Sequence, residues 1–120
     1  MSENLALLKL VVPEILFEYF EVTKQETKAT EIHLYFEEIN DTTFLPINRK
    51  VHSKGFYKES VVQDFPLRGK SVYLHIKRRK WEDIKTKEIV SRDWKMVATG
   101  TRMTSEFAIF LKELHLNILR

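Results

Sequence analysis

The chain has 120 residues, 43% hydrophobic and 31% charged, with a formal net charge of +3; that length and balance suit one soluble globular domain over residues 1–120. It holds no cysteine and only three glycines, which excludes a disulfide framework, a thiol nucleophile, a thiolate metal site and a phosphate-cradling glycine loop. The charge is segregated: residues 1–48 carry three Lys and no Arg against nine acids, a net −6, while residues 49–102 carry fifteen Lys and Arg against six acids, a net +9. The last eighteen residues balance, two against two. A basic middle of this size favours a polyanionic partner, because cations that neutralise phosphates release counterions.

Read in order, the start lacks a basic leader region and a small-residue cleavage site. Its apolar run is broken by Lys9, Pro13 and Glu14, short of the roughly 20 residues that span a bilayer. The expectation is a soluble, cytoplasmic protein. Ser2 suits the cap of a first helix reaching about Val11, and Pro13 suits the first turn of a second over Glu14–Phe20. Ile15, Leu16, Tyr19 and Phe20 would bury against a sheet. Val22–Lys28 and Glu31–Ile39 read as strands with a turn near Ala29–Thr30; in the second, Ile32, Leu34 and Phe36 alternate with His33, Tyr35 and Glu37. Asp41–Lys50 has no period and reads as a loop. Phe56–Phe65 is a third strand, joined through the turn Pro66–Gly69 to a fourth, Ser71–Trp81. Glu82–Lys87 reads as a charged loop and Glu88–Val97 as a further strand. After Thr99-Gly100, Thr104 caps a last helix on which Phe107, Phe110, Leu111, Leu114 and Ile118 form an apolar stripe. The fold class expected is α+β: an antiparallel sheet of about five strands, with N-terminal helices and a C-terminal amphipathic helix packed on one face.

The Ser71–Trp81 stretch carries the functional signal. Val72, Leu74 and Ile76 share one face; Tyr73, His75, Lys77, Arg79 and Trp81 share the other. Past Ile76 the apolar face turns basic at Arg78 and Lys80, so the strand end is expected to leave the core. Cations reach phosphates and planar rings stack on bases; the competing reading is a solvated edge strand kept soluble by its cations.

No catalytic constellation emerges. The histidines, His33, His52, His75 and His115, show no ligand spacing, although His33 and His75 become neighbours if their strands pair. Glu37-Glu38, Glu82-Asp83 and Asp93 read as surface ion-pair carboxylates, and Ser53, Ser60 and Ser91 lack a nucleophile-elbow context. The chain is expected to be no enzyme and to hold no cofactor.

The ordered series His52-Ser53, Asp64-Phe65-Pro66-x-x-Gly69-x-x-Val72-x-Leu74, Arg78-Arg79-x-Trp81 and Thr101-Arg102-Met103-Thr104-x-x-Phe107 resembles the N-terminal region of bacterial insertion-sequence transposases of the zinc-ribbon-plus-DDE type. The likeness spans about residues 31–115. Together with the opening LLKLVVPEILFEYFE, it resembles the variant in which that region is encoded as a separate small protein. The family typically has cysteine pairs flanking the His-Ser and the Arg-Arg-x-aromatic; this chain has none, so no metal is expected. Packing of Trp81, Trp94 and Phe65 would have to replace it. The DDE catalytic domain is also absent from the sequence, so cutting and joining DNA would fall to a partner.

The resemblance implies recognition of double-stranded DNA at the element's terminal repeats and recruitment of a catalytic transposase subunit, with self-association left open and no membrane partner. Phosphate contacts are expected from Lys70, Lys77, Arg78, Arg79, Lys80, Lys85, Lys87 and Arg92, with Tyr73 and His75 completing the DNA-binding set. The acidic N-terminal half would face away from DNA and offer a docking surface. Two alternatives stand beside this one: an assembly module that binds no nucleic acid, with Ile109, Leu116 and Leu119 as an exposed apolar strip, and a single-strand or RNA binder stacking bases on Tyr73 and His75.

Overall fold

The structure, a computed structural model, describes residues 16–94. Among the described residues, helix α1 (Leu16–Tyr19) leads into seven strands: β1 (Phe20–Thr27), β2 (Glu31–Glu38), β3 (Val51–Phe56), β4 (Ser60–Leu67), β5 (Lys70–Lys77), β6 (Arg79–Asp83) and β7 (Ile89–Val90). They form a four-stranded sheet in the order β1-β2-β5-β4 and a three-stranded sheet in the order β3-β6-β7.

This corrects the α+β expectation. The described residues are predominantly β and lie in two sheets rather than one. The helix expected over Glu14–Phe20 is seen over Leu16–Tyr19 and ends there because Phe20 already pairs with Glu38 as the first residue of β1; Glu14 and Ile15 fall outside the described residues. The helices expected before Val11 and after Thr104 fall outside the described residues, as do Ile109, Leu116 and Leu119.

The alternation in β2 and β5 sets the core. Ile32, Leu34 and Phe36 pair in register with Val72, Leu74 and Ile76, and Leu34, Phe36, Leu74 and Ile76 are almost wholly buried. Leu16, Phe20, Val62, Val72 and Trp94 complete the cluster, each large apolar side chain stabilising the fold by about 1.5–3 kcal/mol. The β2–β5 pairing is parallel, not antiparallel as expected. Side-chain period is the same for both senses, and the intervening β3 and β4 supply the long crossover that a parallel pair requires.

The strand expected over Phe56–Phe65 is broken at Tyr57–Glu59 into β3 and β4. Gly55, at φ 90°, lies in the register shift between Ser53 and Phe56, and the Tyr57 N–H then donates to the Arg78 carbonyl at 2.8 Å. The turn into β5 is tighter than expected: Leu67 pairs with Lys70, and Arg68 and Gly69 both take positive φ (51° and 76°). Two successive left-handed residues make the hairpin turn whose twist matches that of its strands. Edge strand β4 tolerates Pro66, which has no N–H to give a ladder.

The expected single strand Ser71–Trp81 is two strands in two sheets. Inward residues are even-numbered in β5 (Val72, Leu74, Ile76) and odd-numbered in β6 (Trp81, Asp83). Arg78, in neither strand, absorbs the change of parity, since inserting one residue exchanges the faces of everything that follows. The strand end therefore does not project from the core: Trp81 is 0% exposed. Glu82 and Asp83 belong to β6 rather than to a loop, and the strand expected over Glu88–Val97 is confirmed only at Ile89–Val90; residues 91–93 are irregular, and residues 95–97 lie outside the described set. Among the described residues no helix is long and apolar enough to cross a membrane.

Candidate nucleic-acid interface

At the junction of the sheets, the last inward residue of β2 is a carboxylate. Glu38 is 0% exposed. It accepts from the Arg79 backbone N–H at 3.0 Å through Oε1 and from Arg92 Nε at 3.2 Å through Oε2. Desolvation pushes its pKa above the ordinary value, opposed by those two hydrogen bonds. Arg79 turns back on the same residue, its Nε donating to the Glu38 carbonyl at 3.0 Å while Nη1 donates to Ser53 Oγ at 2.6 Å; its guanidinium lies 4.5 Å from the Phe56 ring centroid. Arg92 donates to the Asp41 carbonyl and packs against the rings of Tyr19 and Phe44. Trp81 donates its indole N–H to Asn40 Oδ1 at 2.9 Å. Two of the three arginines expected on DNA, Arg79 and Arg92, are thus committed to an internal clasp, and Glu38, read as a surface carboxylate, is its centre. Trp81 and Trp94 are both buried; the Phe65 side chain lies outside the described set.

The outer face of the four-stranded sheet carries a ring cluster. His33 and His75 share a hydrogen bond of 2.8 Å between Nδ1 and Nε2, as their pairing strands allow. His33 Nε2 lies 2.9 Å from Glu31 Oε1. His75 Nδ1 lies 3.4 Å from Glu59 Oε2, within ion-pair reach but off hydrogen-bond alignment, which leaves that buried nitrogen without a hydrogen-bond partner. Tyr73 stacks on His33 and Tyr35 on His75, with centroids 5.0 and 4.2 Å apart. Tyr35 donates to Glu26 at 2.8 Å, holding that carboxyl below its ordinary range. Lys77 lines a groove of about 290 Å³ with Lys24, Tyr35, Glu37 and Glu59, so two carboxylates stand beside the two lysines there. The rings face one another and the rim is acidic, a poor surface for phosphates and bases.

The second sheet differs. On its outer face Glu82 is shared by His52 at 3.1 Å and Lys54 at 3.7 Å. Beside it, Arg78 and Lys80 converge on the Tyr57 ring, 5.2 and 5.4 Å from its centroid. Two like charges at one ring are tolerated because the ring quadrupole attracts both. Lys58 is exposed next in the chain. At the far end Arg49 pairs with Asp83 at 2.9 Å and with Glu88 at 3.4 Å. Asp83 Oδ1 also accepts the backbone N–H groups of Lys85 and Thr86. These bonds, led by that from Thr86, lower the Asp83 carboxyl to about 2. They fix the turn that exposes Lys85 and Lys87.

Of the expected contact residues, then, Arg78 and Lys80 are brought together. Lys85 and Lys87 sit at the β6–β7 tip, Lys70 at the opposite hairpin, and Tyr73, His75 and Lys77 on the ring face. Tyr57, Lys54 and Lys58 were missed; the signal available was an aromatic–lysine pair after Gly55-Phe56 in the basic half. Among the described residues no three His, Asp or Glu side chains are grouped to hold a metal ion. Comparison of the chain with protein-family models, with curated proteins and with solved structures returns no match.

Proposed function

We propose that the protein is a DNA-binding region of the transposase type, which engages the terminal repeats of an insertion element and positions a separate catalytic subunit there. The observation that carries the reading is the patch formed by Tyr57, Arg78 and Lys80, set in a basic half of the chain and separated from the acidic rim of the first sheet. Arg and Lys on a rigid strand end supply phosphate contacts, and an arginine beside them can read guanine. Lys54, Lys58, Lys85 and Lys87 extend the same sheet's cationic surface. Duplex is favoured over single strands because Tyr73 and His75 stack on neighbouring rings instead of standing open to bases.

The test is a titration with labelled duplex bearing the repeat that flanks the gene, a scrambled duplex and a single strand, each at several salt concentrations. Repeat-selective binding with a steep salt slope is expected. Replacing Arg78 and Lys80 together by Ala should flatten that slope by about 1.8, at −0.9 per phosphate. Absence of binding at low salt would reject the reading.

A second reading, an assembly module without nucleic-acid binding, is favoured by the exposed apolar residues Ile47, Ile84 and Ile89. Ile84 and Ile89 flank the β6–β7 turn, and the Ile84 N–H donates to the Lys50 carbonyl, close in sequence to Ile47. Concentration-dependent association abolished by Ile84→Ser, without affinity for any probe, would support it instead.

A further inference from the structure

Resting on the DNA-binding reading, we infer that Arg79 is a positioning residue: it aims Arg78 and Lys80 at the phosphate backbone instead of touching it. Three observations converge on this assignment. The Arg79 N–H and Nε grip opposite ends of one residue, the Glu38 carboxylate and the Glu38 carbonyl. Its Nη1 reaches across to Ser53 on β3. With backbone and side chain both anchored, the residue has one orientation, inward with Trp81, and alternation sends Lys80 to the opposite face.

Arg78 precedes this anchor at the point where the chain changes sheets. Its carbonyl is held by the Tyr57 N–H, so the ring that receives Arg78 and Lys80 is tied to the same bend. A guanidinium donates from fixed positions in a plane, and an ammonium cannot reproduce that fork. Lysine at position 79 would therefore keep the charge and lose the geometry. That separates positioning from direct contact, because a phosphate contact needs mainly the charge.

The experiment compares the full chain with Arg79→Lys, with Arg78→Ala/Lys80→Ala, and with the triple variant, by fluorescence anisotropy against the repeat duplex at several salt concentrations. Positioning predicts about a tenfold loss of affinity for Arg79→Lys in the wild-type background. It predicts less than about a twofold further loss where Arg78 and Lys80 are already gone, since coupled residues are non-additive. Wild-type affinity for Arg79→Lys, or an equal loss in both backgrounds, would overturn it. Ser53→Ala removes one acceptor of Arg79 without burying a charge, and serves as the variant that keeps the fold; it should show the same non-additivity in weaker form.

NMR contacts between the Tyr57 ring and the side chains of Arg78 and Lys80 read the aiming with no nucleic acid present. Loss of those contacts in folded Arg79→Lys supports the assignment, and their retention overturns it. A wild-type protein that binds none of the probes would reject the DNA-binding reading, while the NMR contacts still decide whether Arg79 aims its neighbours.

Discussion

The inner face of the four-stranded sheet and the junction between the sheets are held by opposite kinds of chemistry. In the sheet, Leu34, Phe36, Leu74 and Ile76 stack as aliphatic and aromatic pairs in register. At the junction, two residues beyond Phe36 on the same face of β2, Glu38 replaces the next apolar residue and gathers Arg79 and Arg92. Hydrophobic packing tolerates substitutions that conserve volume. A buried ion pair tolerates almost none, because removing one partner strands the other's charge. The junction thus trades tolerance for a fixed course of the chain past Glu38.

The comparison is broken most directly by Glu38→Ala, which leaves Arg92 buried and unpaired; a loss of about 3–5 kcal/mol is expected in urea unfolding. Replacing Glu38 and Arg92 together by Leu and Met should recover much of that loss and leave Arg79 without its carboxylate anchor. Leu74→Ala tests the apolar side, with an expected loss of about 2–5 kcal/mol set by how far the sheet collapses into the space. If the double substitution at the junction costs as much as Glu38→Ala alone, the contrast fails.

Gly69→Ala probes a position outside both regions. No atom lies within 4 Å of the added methyl group, and φ is +76°, so its expected cost of about 1–2 kcal/mol is purely conformational. A larger loss would mean that the hairpin register had slipped.

The smallest effects are expected from acid titration, where two carboxylates move in opposite directions. Burial raises Glu38 above its ordinary 4.5; its contribution is fully present below 4.5 and is lost as pH rises through the folded value. Hydrogen bonds and Arg49 lower Asp83 from 3.8 to about 2; its contribution is present above 3.8 and is lost as pH falls towards 2. Asp83→Asn should therefore flatten the acid limb of the stability curve below pH 4, and Glu38→Gln the limb above 4.5. Unfolding midpoints measured from pH 2 to 7 give both.

Much of the sheet was legible in the sequence because strand alternation is a local signal. Glu31–Glu38 and the β1 region stand within two residues of the expected strands, and β5 begins within one residue of its expected start but ends four residues early; His33 and His75 are expected to be neighbours only if their strands pair, which they do. What escaped depends on distant partners. Alternation puts Glu38 in phase with Leu34 and Phe36 and Glu37 out of phase, yet nothing local shows that two distant arginines would let a carboxylate occupy the buried position. Arg78 and Arg79 are identical residues in sequence, and only the parity change at the sheet crossing separates the one beside the Tyr57 ring from the one in the clasp. The Tyr57–Glu59 break escaped for the same reason, since the bond that fixes it comes from the Arg78 carbonyl.

The parallel contact between β2 and β5 also governs how the chain reaches its fold. The β1–β2 and β4–β5 hairpins close over short turns and can form in about 1–10 μs. Joining them requires the segment from Ile39 to Glu59 to be looped out, an entropic cost incurred before the two hairpins share core contacts. The rate-limiting step is then the docking of one hairpin on the other. Leu34 and Leu74 substitutions should slow folding, whereas Trp81 substitutions should chiefly speed unfolding, because the second sheet assembles after the crossing is made.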